Sequence, residues 1–484
     1  MTLLDSREAI AGSRVPLSIR IDELLAATRG RLMGPTTVSS FTGAAVDSRH
    51  VTPGCCFVAL RGERVDGHDY VAAAVRAGAV AALVQRQVEL PAGRDVALVG
   101  VADPLTALQE MAATWRRRFS VRIIGITGST GKTIAKEIVA DVLSQERRVL
   151  RNEGNLNSET GLPMTLLQLD PSHELGVLEM SMYTEGEIAR LAEISEPEVG
   201  VVLAVHPTHL ERAGSIEAIS RAKSELPAAL PAAPEGLAVL NADDPRVYTM
   251  ASVTRATVRT FGLGPAADVR ATDVTSLGLS GTAFELVAPW GRRKMRSANP
   301  GSHLVPHALA AAAVAEHVGV SLDAVEAALA AGSHAEHRMV VAAAASGATL
   351  VDDTYNASPV SVTAALLFLA ETPVPAGRHR YAVLGDMLEL GPDEERLHRE
   401  VGARAAEVVD GLVTVGERGA WIADGARAAG LATVLVTADP DEAVEELDRS
   451  LAPTGGDIVL LKASRGIELD RAVDRLTGRE PVRS

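Results

Sequence analysis

Residues 121–133 are Val-Arg-Ile-Ile-Gly-Ile-Thr-Gly-Ser-Thr-Gly-Lys-Thr, a β-branched run that enters a glycine-rich turn. The run predicts a strand over Val121–Thr127, and the apolar spacing that follows predicts a helix from about Thr133 to Gln145. A turn in this position aims backbone N–H groups and the positive end of a helix dipole at one point, which suits a phosphate. The stretch therefore predicts a phosphate-binding strand–turn–helix unit, and with it an α/β fold.

The turn matches the shorter phosphate-loop pattern Gly-x-x-Gly-Lys-Ser/Thr over Gly128–Thr133. The eight-residue pattern requires glycine at position 126, where this chain has isoleucine. Lys132 is expected to reach the β- and γ-phosphates of a nucleotide, and the Thr133 hydroxyl to bind Mg²⁺. The alternative is an ordinary glycine-rich turn with an exposed lysine.

Strand and helix patterns alternate on both sides of this unit. Before it, Cys56–Leu60 and Val80–Val84 are typical of strands, and Ile19–Thr28 and Tyr70–Gly78 of helices. We interpret Arg116-Arg-Arg118 as a charged surface point that closes this region. Beyond the unit, the predicted strands are Leu175–Leu178, Gly200–Val205, Leu237–Leu240, Thr349–Val351, Tyr381–Leu384, Gly411–Val415 and Ile458–Lys462. The predicted later helices are Pro306–His317, Pro359–Leu369 and Glu394–Val408.

These patterns predict an α/β protein of three domains. The first domain, residues 1–116, is a smaller α/β domain. The second, residues 117–328, is a P-loop-type ATPase domain with a mostly parallel sheet and an antiparallel β portion near residues 268–300. The third, residues 329–484, is a Rossmann-like α/β domain.

Composition narrows the classes of function. Of the 484 residues, 47% are hydrophobic and 23% charged, as in globular proteins. The net charge of −15 argues against general nucleic-acid binding. No apolar run is long enough to span a bilayer, so we expect no membrane insertion. The adjacent Cys55 and Cys56 favour a reducing cytoplasm over a disulfide. Separately, we expect a monomer.

Short motifs occur in a fixed order through all three regions. They are Asp47-Ser-Arg49, Phe57-Val-Ala-Leu-Arg-Gly62, Asp66-Gly-His68, Gly154-Asn-Leu-Asn157, His209-Leu-Glu211, Ala222-Lys-Ser-Glu225, Leu240-Asn-Ala-Asp243, Asp352-Asp-Thr-Tyr-Asn-Ala357, Leu384-Gly-Asp-Met-Leu-Glu-Leu-Gly391 and Lys462-Ala-Ser-Arg465. Together with the phosphate loop, they resemble the motifs of the Mur ligases over nearly the whole chain. Within that family, they are most similar to the members that join D-alanyl-D-alanine to UDP-N-acetylmuramoyl-tripeptide.

The resemblance implies a two-step reaction in peptidoglycan synthesis. ATP, with Mg²⁺, phosphorylates a carboxylate of UDP-N-acetylmuramoyl-tripeptide, and the amine of D-alanyl-D-alanine then displaces phosphate from the acyl phosphate. Such a reaction depends on neutralising crowded anions more than on a side-chain nucleophile. The resemblance also implies that the first domain binds the UDP substrate, and that the third closes over ATP and binds the amine.

The same resemblance gives catalytic and metal-binding roles to residues near the phosphates. Glu179 follows an apolar strand and resembles a magnesium ligand, with a solvated strand-end charge as the alternative. His209 resembles the family's metal-associated histidine, although a lone histidine is often a surface residue. Lys223 resembles the lysine that the family carbamylates, and a plain exposed lysine is the alternative. The expected catalytic residues are Lys132, Lys223 and His209, and the expected metal ligands are Thr133, Glu179, His209 and Lys223.

Substrate contacts follow from the resemblance in the same way. Expected contacts to ATP are Gly128, Ser129, Thr130, Gly131, Lys132, Thr133, Asn241, Arg338, Asp353 and Asn356. Expected contacts to the UDP substrate are Ser48, Arg49, His68, Asn155 and Asn157. Turn or helix-capping roles are the alternatives for Asn241, Asp353, Asn356 and His68. Lys462 and Arg465 are either receivers of peptide carboxylates or solvated cations.

Several positions depart from the family's usual residues. They are Thr130, Ser181, Tyr183, Ala204, Leu304, His307 and Ser358. Leucine at position 304 cannot make the hydrogen bonds to a base or ribose that the expected asparagine makes. Together the departures affect adenine contacts and recognition of the acceptor rather than the triphosphate and metal residues. Two alternatives therefore stay open beside the leading hypothesis. One is a diverged ligase for another acid and amine, and the other is a nucleotide-binding protein without catalysis.

Overall fold

The computed structural model describes residues 18–62, 65–207, 210–333 and 335–478. These residues form two compact units. The amino-terminal unit consists of the described residues up to Val121, together with Asn155–Glu174 and Glu193–Ser195. The larger unit consists of Arg122–Gly154, Leu175–Ala192 and the described residues from Glu196 onward. The domain boundaries at 116/117 and 328/329 stay predictions.

The strands are numbered in chain order. Strands β1–β7 are Ile19–Arg20, Arg31–Leu32, Ser40–Phe41, Ala44–Ala45, Cys56–Val58, Ala81–Val84 and Ala97–Gly100. Strands β8–β16 are Arg122–Thr127, Val149–Arg151, Leu175–Glu179, Val199–Val202, Leu237–Asn241, Thr257–Gly262, Val269–Ser276, Thr282–Ala288 and Gly291–Ser297. Strands β17–β22 are Val340–Ala343, Thr349–Asp352, Arg380–Gly385, Gly411–Val415, Val434–Thr437 and Ile458–Lys462.

The α-helices are numbered in the same way. Helices α1–α8 are Ile21–Thr28, Val71–Ala77, Pro104–Arg116, Lys132–Ser144, Gly161–Leu166, Glu187–Ser195, Leu210–Ala213 and Ile216–Ala229. Helices α9–α16 are Pro245–Thr249, Val305–Val318, Leu322–Ala331, Pro359–Glu371, Glu394–Ala406, Gly419–Ala428, Pro440–Glu446 and Asp470–Thr477. Among the described residues, none of these helices is long and apolar enough to cross a membrane.

The amino-terminal unit is built on a five-stranded sheet of order β2-β7-β6-β5-β4, in which only β2 is antiparallel to its neighbour. Two local predictions are wrong here. Ile19 and Arg20 pair with Phe41 and Ser40 as strands, so the helix begins only at Ile21. Arg116 is buried rather than a surface point, because its Nε donates to the Ser195 carbonyl at 2.8 Å.

The larger unit contains a nine-stranded sheet of order β16-β15-β14-β13-β12-β11-β8-β10-β9. All pairs among strands β8 to β14 are parallel, whereas β14 with β15 and β15 with β16 are antiparallel pairs. This confirms the predicted mostly parallel sheet with an antiparallel portion. Strands β8, β10, β11 and β12 lie side by side. Their carboxyl ends therefore meet at one edge, where ligands bind in sheets of this kind.

Helices cover both faces of this sheet. Helices α4, α10 and α11 pack on one face through apolar residues such as Ile138, Leu309 and Val325. Residues of α8 and α9, among them Ile219 and Val247, cover the other face. Because both faces are buried, the central strands β8, β10, β11 and β12 are near-continuous apolar runs rather than alternating ones.

The same unit carries a second sheet, of six strands in the order β17-β18-β22-β19-β20-β21. All its pairs are parallel except β17 with β18. Apolar clusters lie on both of its faces, as in a Rossmann-like domain. The three sheets with their helices confirm the predicted α/β fold class.

Candidate nucleotide and metal site

The phosphate loop lies where prediction placed it, between β8 and α4. Gly131 precedes the first turn of α4 with φ +78°, a conformation that favours glycine. Ser129 fastens the loop to the end of β11. Its N–H donates to Ala204 at 2.8 Å, and its hydroxyl donates to the carbonyl and accepts from the N–H of His206, at 3.0 and 2.9 Å. The loop is thus held in shape by the neighbouring strand.

Lys132 folds over the loop that carries it. Its Nζ donates to the Gly128 carbonyl at 2.9 Å. Burial lowers its pKa, opposed by the nearby Glu179 carboxylate and reinforced by Arg338. The Gly128 carbonyl therefore occupies one of the hydrogen-bond positions of this ammonium.

Thr133 and Glu179 bring a hydroxyl and a carboxylate together beside the loop. Glu179 ends β10 and is 2% exposed. The Thr133 Oγ1 donates to Glu179 Oε2 at 2.9 Å. The alternative of a solvated strand-end charge is wrong for Glu179.

Lys223 lies buried on α8, with 2% exposure, so the alternative of a plain exposed lysine is wrong. Burial lowers its pKa well below the ordinary value, and the neighbouring Lys132 lowers it further. Both effects shift the equilibrium of Lys223 toward its neutral amine. His209, the other predicted catalytic residue, lies outside the described residues.

Arg338 joins the six-stranded sheet's region to the phosphate loop. Its Nη2 donates to Thr133 Oγ1 at 2.9 Å, and its guanidinium lies 4.2 Å from the centre of the Tyr355 ring. Its Nε is buried without a hydrogen-bond partner among the described residues. Thr133, Glu179 and Arg338 thus form one cluster. Tyr355 also belongs to it, which could not be predicted from the sequence.

Asp353 forms a buried ion pair with Lys462, with Nζ and Oδ2 2.5 Å apart. Nζ also donates to the Asn356 carbonyl at 2.9 Å. Burial raises the pKa of Asp353 against the opposing effect of Lys462. Lys462 is therefore not a solvated cation, and Asn356 enters this cluster through its backbone.

Asn241 connects the ends of two strands. Its Nδ2 donates to the Leu203 carbonyl at 2.8 Å, and its Oδ1 accepts from the Asp243 N–H at 3.0 Å. These contacts support the turn-capping interpretation, and a contact with adenine stays a prediction.

His307 contacts the phosphate loop from the first turn of α10. A β-carbon on Gly131 would stand 3.1 Å from its Cε1 and closer still to its Nε2. Burial and the neighbouring His303 lower the pKa of His307 to about 4. The sequence marked His307 only as a departure from the family, and its contact with the loop could not be read from that.

The predicted UDP-substrate residues lie in the amino-terminal unit. His68 is buried, with Nδ1 2.6 Å from Asp66 Oδ1 and Nε2 accepting from the Gln85 N–H at 2.8 Å. Arg49 is exposed and pairs with Asp47 at 2.6 Å, next to Ser48 in a short 3₁₀ helix. Asn155 and Asn157 share a turn, in which the Asn157 N–H donates to the Asn155 carbonyl at 2.7 Å. A shared pocket for these residues stays a prediction.

The donors beside the loop suit Mg²⁺. This ion prefers oxygen and is commonly held by one or two protein oxygens together with substrate phosphates. Thr133 and Glu179 supply a hydroxyl and a carboxylate oxygen at one point. No group of three or more His, Cys, Asp or Glu side chains that could hold a metal occurs in the described part of the chain.

A phosphate loop at the carboxyl edge of a parallel sheet, with a hydroxyl and a carboxylate poised for a metal, defines a nucleotide-dependent α/β enzyme. Three family models match the chain: the Mur ligase family catalytic domain over residues 40–116, the Mur ligase middle domain over 126–315, and the Mur ligase glutamate ligase domain over 337–465. The chain belongs to the Mur ligase family and is an ATP-dependent ligase.

Individual relatives agree. The UDP-N-acetylmuramoyl-tripeptide–D-alanyl-D-alanine ligase of Escherichia coli K12 is 35% identical, over 95% of this chain and 98% of its own. The enzyme of that name from Mycobacterium bovis is 40% identical, over 89% and 91%. The crystal structure of MurF from Acinetobacter baumannii has a TM-score of 0.84 at 31% identity, covering 96% of this chain and all of that one. MurF from Thermotoga maritima, solved in complex with ADP, has a TM-score of 0.78 at 29% identity, covering 90% and 97%.

Proposed function

We propose that this protein uses ATP to join D-alanyl-D-alanine to UDP-N-acetylmuramoyl-tripeptide, a step of peptidoglycan synthesis. The observation that carries the proposal is the Thr133–Glu179 contact beside the phosphate loop, with Arg338 on the same hydroxyl. The relatives that match the chain over nearly its full length bear the name of this activity.

The residues beside the loop suit transfer of the terminal phosphoryl group of ATP to a substrate carboxylate. The γ-phosphorus–oxygen bond to ADP breaks, and a bond to a carboxylate oxygen forms. Lys132, now on the Gly128 carbonyl, would turn to the β- and γ-phosphates, while the loop N–H groups hold them. The dipeptide amine then attacks the acyl carbon, losing a proton, and inorganic phosphate leaves. Arg338 would bind phosphoryl oxygens, and its Nε, which has no partner among the described residues, supports this role.

Thr133 and Glu179 would hold Mg²⁺, with His209 as a further proposed ligand. The bound ion neutralises phosphate charge, which lowers the cost of placing a carboxylate next to the γ-phosphate. The chain's own part is to keep the Thr133 and Glu179 oxygens together and away from bulk water, as their burial supports.

Lys223 suits carbamylation because its pKa is lowered by burial and by Lys132. Its neutral amine would add to the carbon of CO₂ and lose a proton, giving an anionic carbamate in place of a cation. A negative group there would favour a metal that an ammonium repels. Lys223→Ala should lose ligase activity and regain part of it with added acetate or propionate. Loss without any such rescue, together with an unmodified Lys223 mass in the wild-type peptide, would rule the modification out.

The amino-terminal unit is the proposed site for the UDP moiety, through Ser48 and Arg49, with Asn155 and Asn157 directed at the muramoyl part. His68 supports this unit through its two ring contacts rather than by offering a free nitrogen. The third region is proposed to close over ATP. Because both nucleotide substrates are cytoplasmic, the reaction implies a cytoplasmic enzyme.

One assay tests the proposal directly. The purified protein is mixed with ATP, Mg²⁺, UDP-N-acetylmuramoyl-tripeptide and D-alanyl-D-alanine, and ADP release and product mass are followed. ADP release that requires the dipeptide, with a product heavier by the dipeptide less water, is expected. ADP release only with other acids and amines would favour a diverged ligase, and none with a broad panel would favour a binding protein. Lys132→Ala should abolish release, and full turnover by that variant would remove the loop from the mechanism.

A further inference from the structure

Helix α4 buries a lysine, Lys136, that has no part in the site described above. It lies just under one turn beyond Thr133 on the same helix and is 0% exposed. Lysine is almost never fully buried unless its charge is paired, because removal of an ammonium from water is costly. The position of Lys136 therefore depends on the groups that its ammonium contacts.

The ammonium of Lys136 has two kinds of partner. Its Nζ lies 2.9 Å from Oε1 of Glu137, whose Oε2 also accepts from Arg151 at 2.7 Å. Its Nζ also donates a short hydrogen bond to the backbone carbonyl of Asn152. Glu137 compensates the charge, whereas the bond to Asn152 fastens α4 to the residue that follows β9.

Asn152 in turn holds Glu179. It is 0% exposed, and it follows the last ladder pair between β9 and β10, Arg151 with Val177. Its Oδ1 accepts from the Glu179 N–H at 2.9 Å, and its Nδ2 donates to the Glu179 carbonyl at 3.4 Å. Beyond that pair, the Asn152 side-chain amide bonds the backbone N–H and carbonyl of Glu179 in place of a backbone partner from β9.

These contacts close a circuit. The Glu179 carboxylate accepts from Thr133, which stands on α4 as Lys136 does. We propose that Lys136 is a positioning residue which, through Asn152, fixes the Glu179 carboxylate against the Thr133 hydroxyl. When the ammonium is removed, Glu137 keeps its ion pair with Arg151 and is not left as an uncompensated buried charge, so the particular contribution of the ammonium is the orientation it imposes. This inference rests on the proposed function, because that function makes Glu179 and Thr133 the metal-holding pair.

Three variants and a control separate positioning from bulk stability. Lys136→Met keeps the length and volume of the side chain but loses the hydrogen bond to the Asn152 carbonyl. Asn152→Leu loses the two side-chain hydrogen bonds to the backbone of Glu179. Their double variant removes both. Val139→Ala, at a fully buried apolar position of the same helix, loosens the packing without touching the circuit.

The measurement is ADP affinity by calorimetry, with and without Mg²⁺, beside the unfolding temperature of each variant. Lys136→Met and Asn152→Leu should each weaken magnesium-dependent ADP binding by about 10–100-fold, the range found when groups that orient metal ligands are removed. The double variant should weaken it no more than the stronger single change, because both act through one path. ADP binding without Mg²⁺ should stay as in the wild type.

Two results would overturn the inference. In one, Lys136→Met has a lower unfolding temperature but binds magnesium ADP as Val139→Ala does. In the other, it weakens ADP binding equally with and without Mg²⁺, which indicates general distortion of the loop. A wild-type protein that binds magnesium ADP but releases no ADP with the proposed substrates would refute the proposed function and leave the role of Lys136 to be decided by the binding data.

Discussion

Gly131→Ala is expected to strain the phosphate loop in two separate ways. The residue has φ +78°, and an alanine in this left-handed region costs about 1–2 kcal/mol. Its new β-carbon would also stand 3.1 Å from Cε1 of His307 and closer to Nε2, and such overpacking costs about 1–3 kcal/mol. The free energy of unfolding should therefore fall by about 2–5 kcal/mol.

The chain offers a matched control for the first contribution. Gly186 also precedes the first turn of a helix with φ +94°, but a β-carbon there would meet nothing within 4 Å. Gly186→Ala should therefore cost only the backbone contribution, about 1–2 kcal/mol. In the Gly131→Ala background, shortening His307 to alanine should remove the cost of the close contact and leave the cost of the backbone conformation in place.

Urea titrations of the wild type, Gly131→Ala, His307→Ala and the double variant form a double-mutant cycle. Together with Gly186→Ala, they measure these differences in the free energy of unfolding. A coupling energy between positions 131 and 307 of about 1–3 kcal/mol is expected, because the two changes share one contact. A Gly131→Ala variant that costs no more than Gly186→Ala, or whose cost is unchanged when His307 is shortened, would contradict the predicted clash with His307.

Further predictions concern the site and its surroundings. Thr133→Val should lower magnesium-dependent ADP affinity at least tenfold by calorimetry, whereas Thr133→Ser should retain most of it. Burial holds the pKa of His303 and His307 at about 4, so the unfolded chain binds more protons below pH 6.5. The free energy of unfolding should fall as pH drops from about 6.5 to 4, by up to about 1.4 kcal/mol per pH unit for each histidine, and His307→Asn should show a smaller slope in urea titrations. Lys462→Met leaves Asp353 buried and unpaired and should cost about 3–5 kcal/mol, most of which Asp353→Leu in the same chain should recover; no recovery would contradict the pairing.

The phosphate loop and its sheet could be predicted because their signals are local. A β-branched run, two glycines and a lysine fix a strand, a turn and a helix within 13 consecutive residues, and the loop observed over 128–133 agrees. Glu179 could be predicted from a general rule, since polar side chains at the carboxyl ends of parallel strands face the ligand edge.

Other features depend on contacts between distant parts of the chain and could not be predicted. Arg116 is buried with its Nε bonded to the carbonyl of Ser195, far along the sequence, and Ile19 is a strand residue because Phe41 pairs with it. Strand β21 was not predicted although its sequence, Val-Leu-Val-Thr, is typical of a strand, and its place at the edge of the sheet, with Val436 exposed, is not visible in the sequence. The burial of Lys136 was indicated, since it occupies a position that the helical pattern assigns to the core. Its hydrogen-bond partners could not be predicted.

The interleaving of the two units has a consequence for how the chain folds as it is synthesised. The amino-terminal unit includes Asn155–Glu174 and Glu193–Ser195, and the Trp115 indole donates to the Leu169 carbonyl at 3.1 Å. When only the first 121 residues have left the ribosome, the amino-terminal unit is therefore incomplete. It lacks α5 and the Leu169 carbonyl that accepts from Trp115 of α3. Its completion must wait until the first strands of the other unit have also emerged, so the two bodies are bound to mature together rather than one after the other.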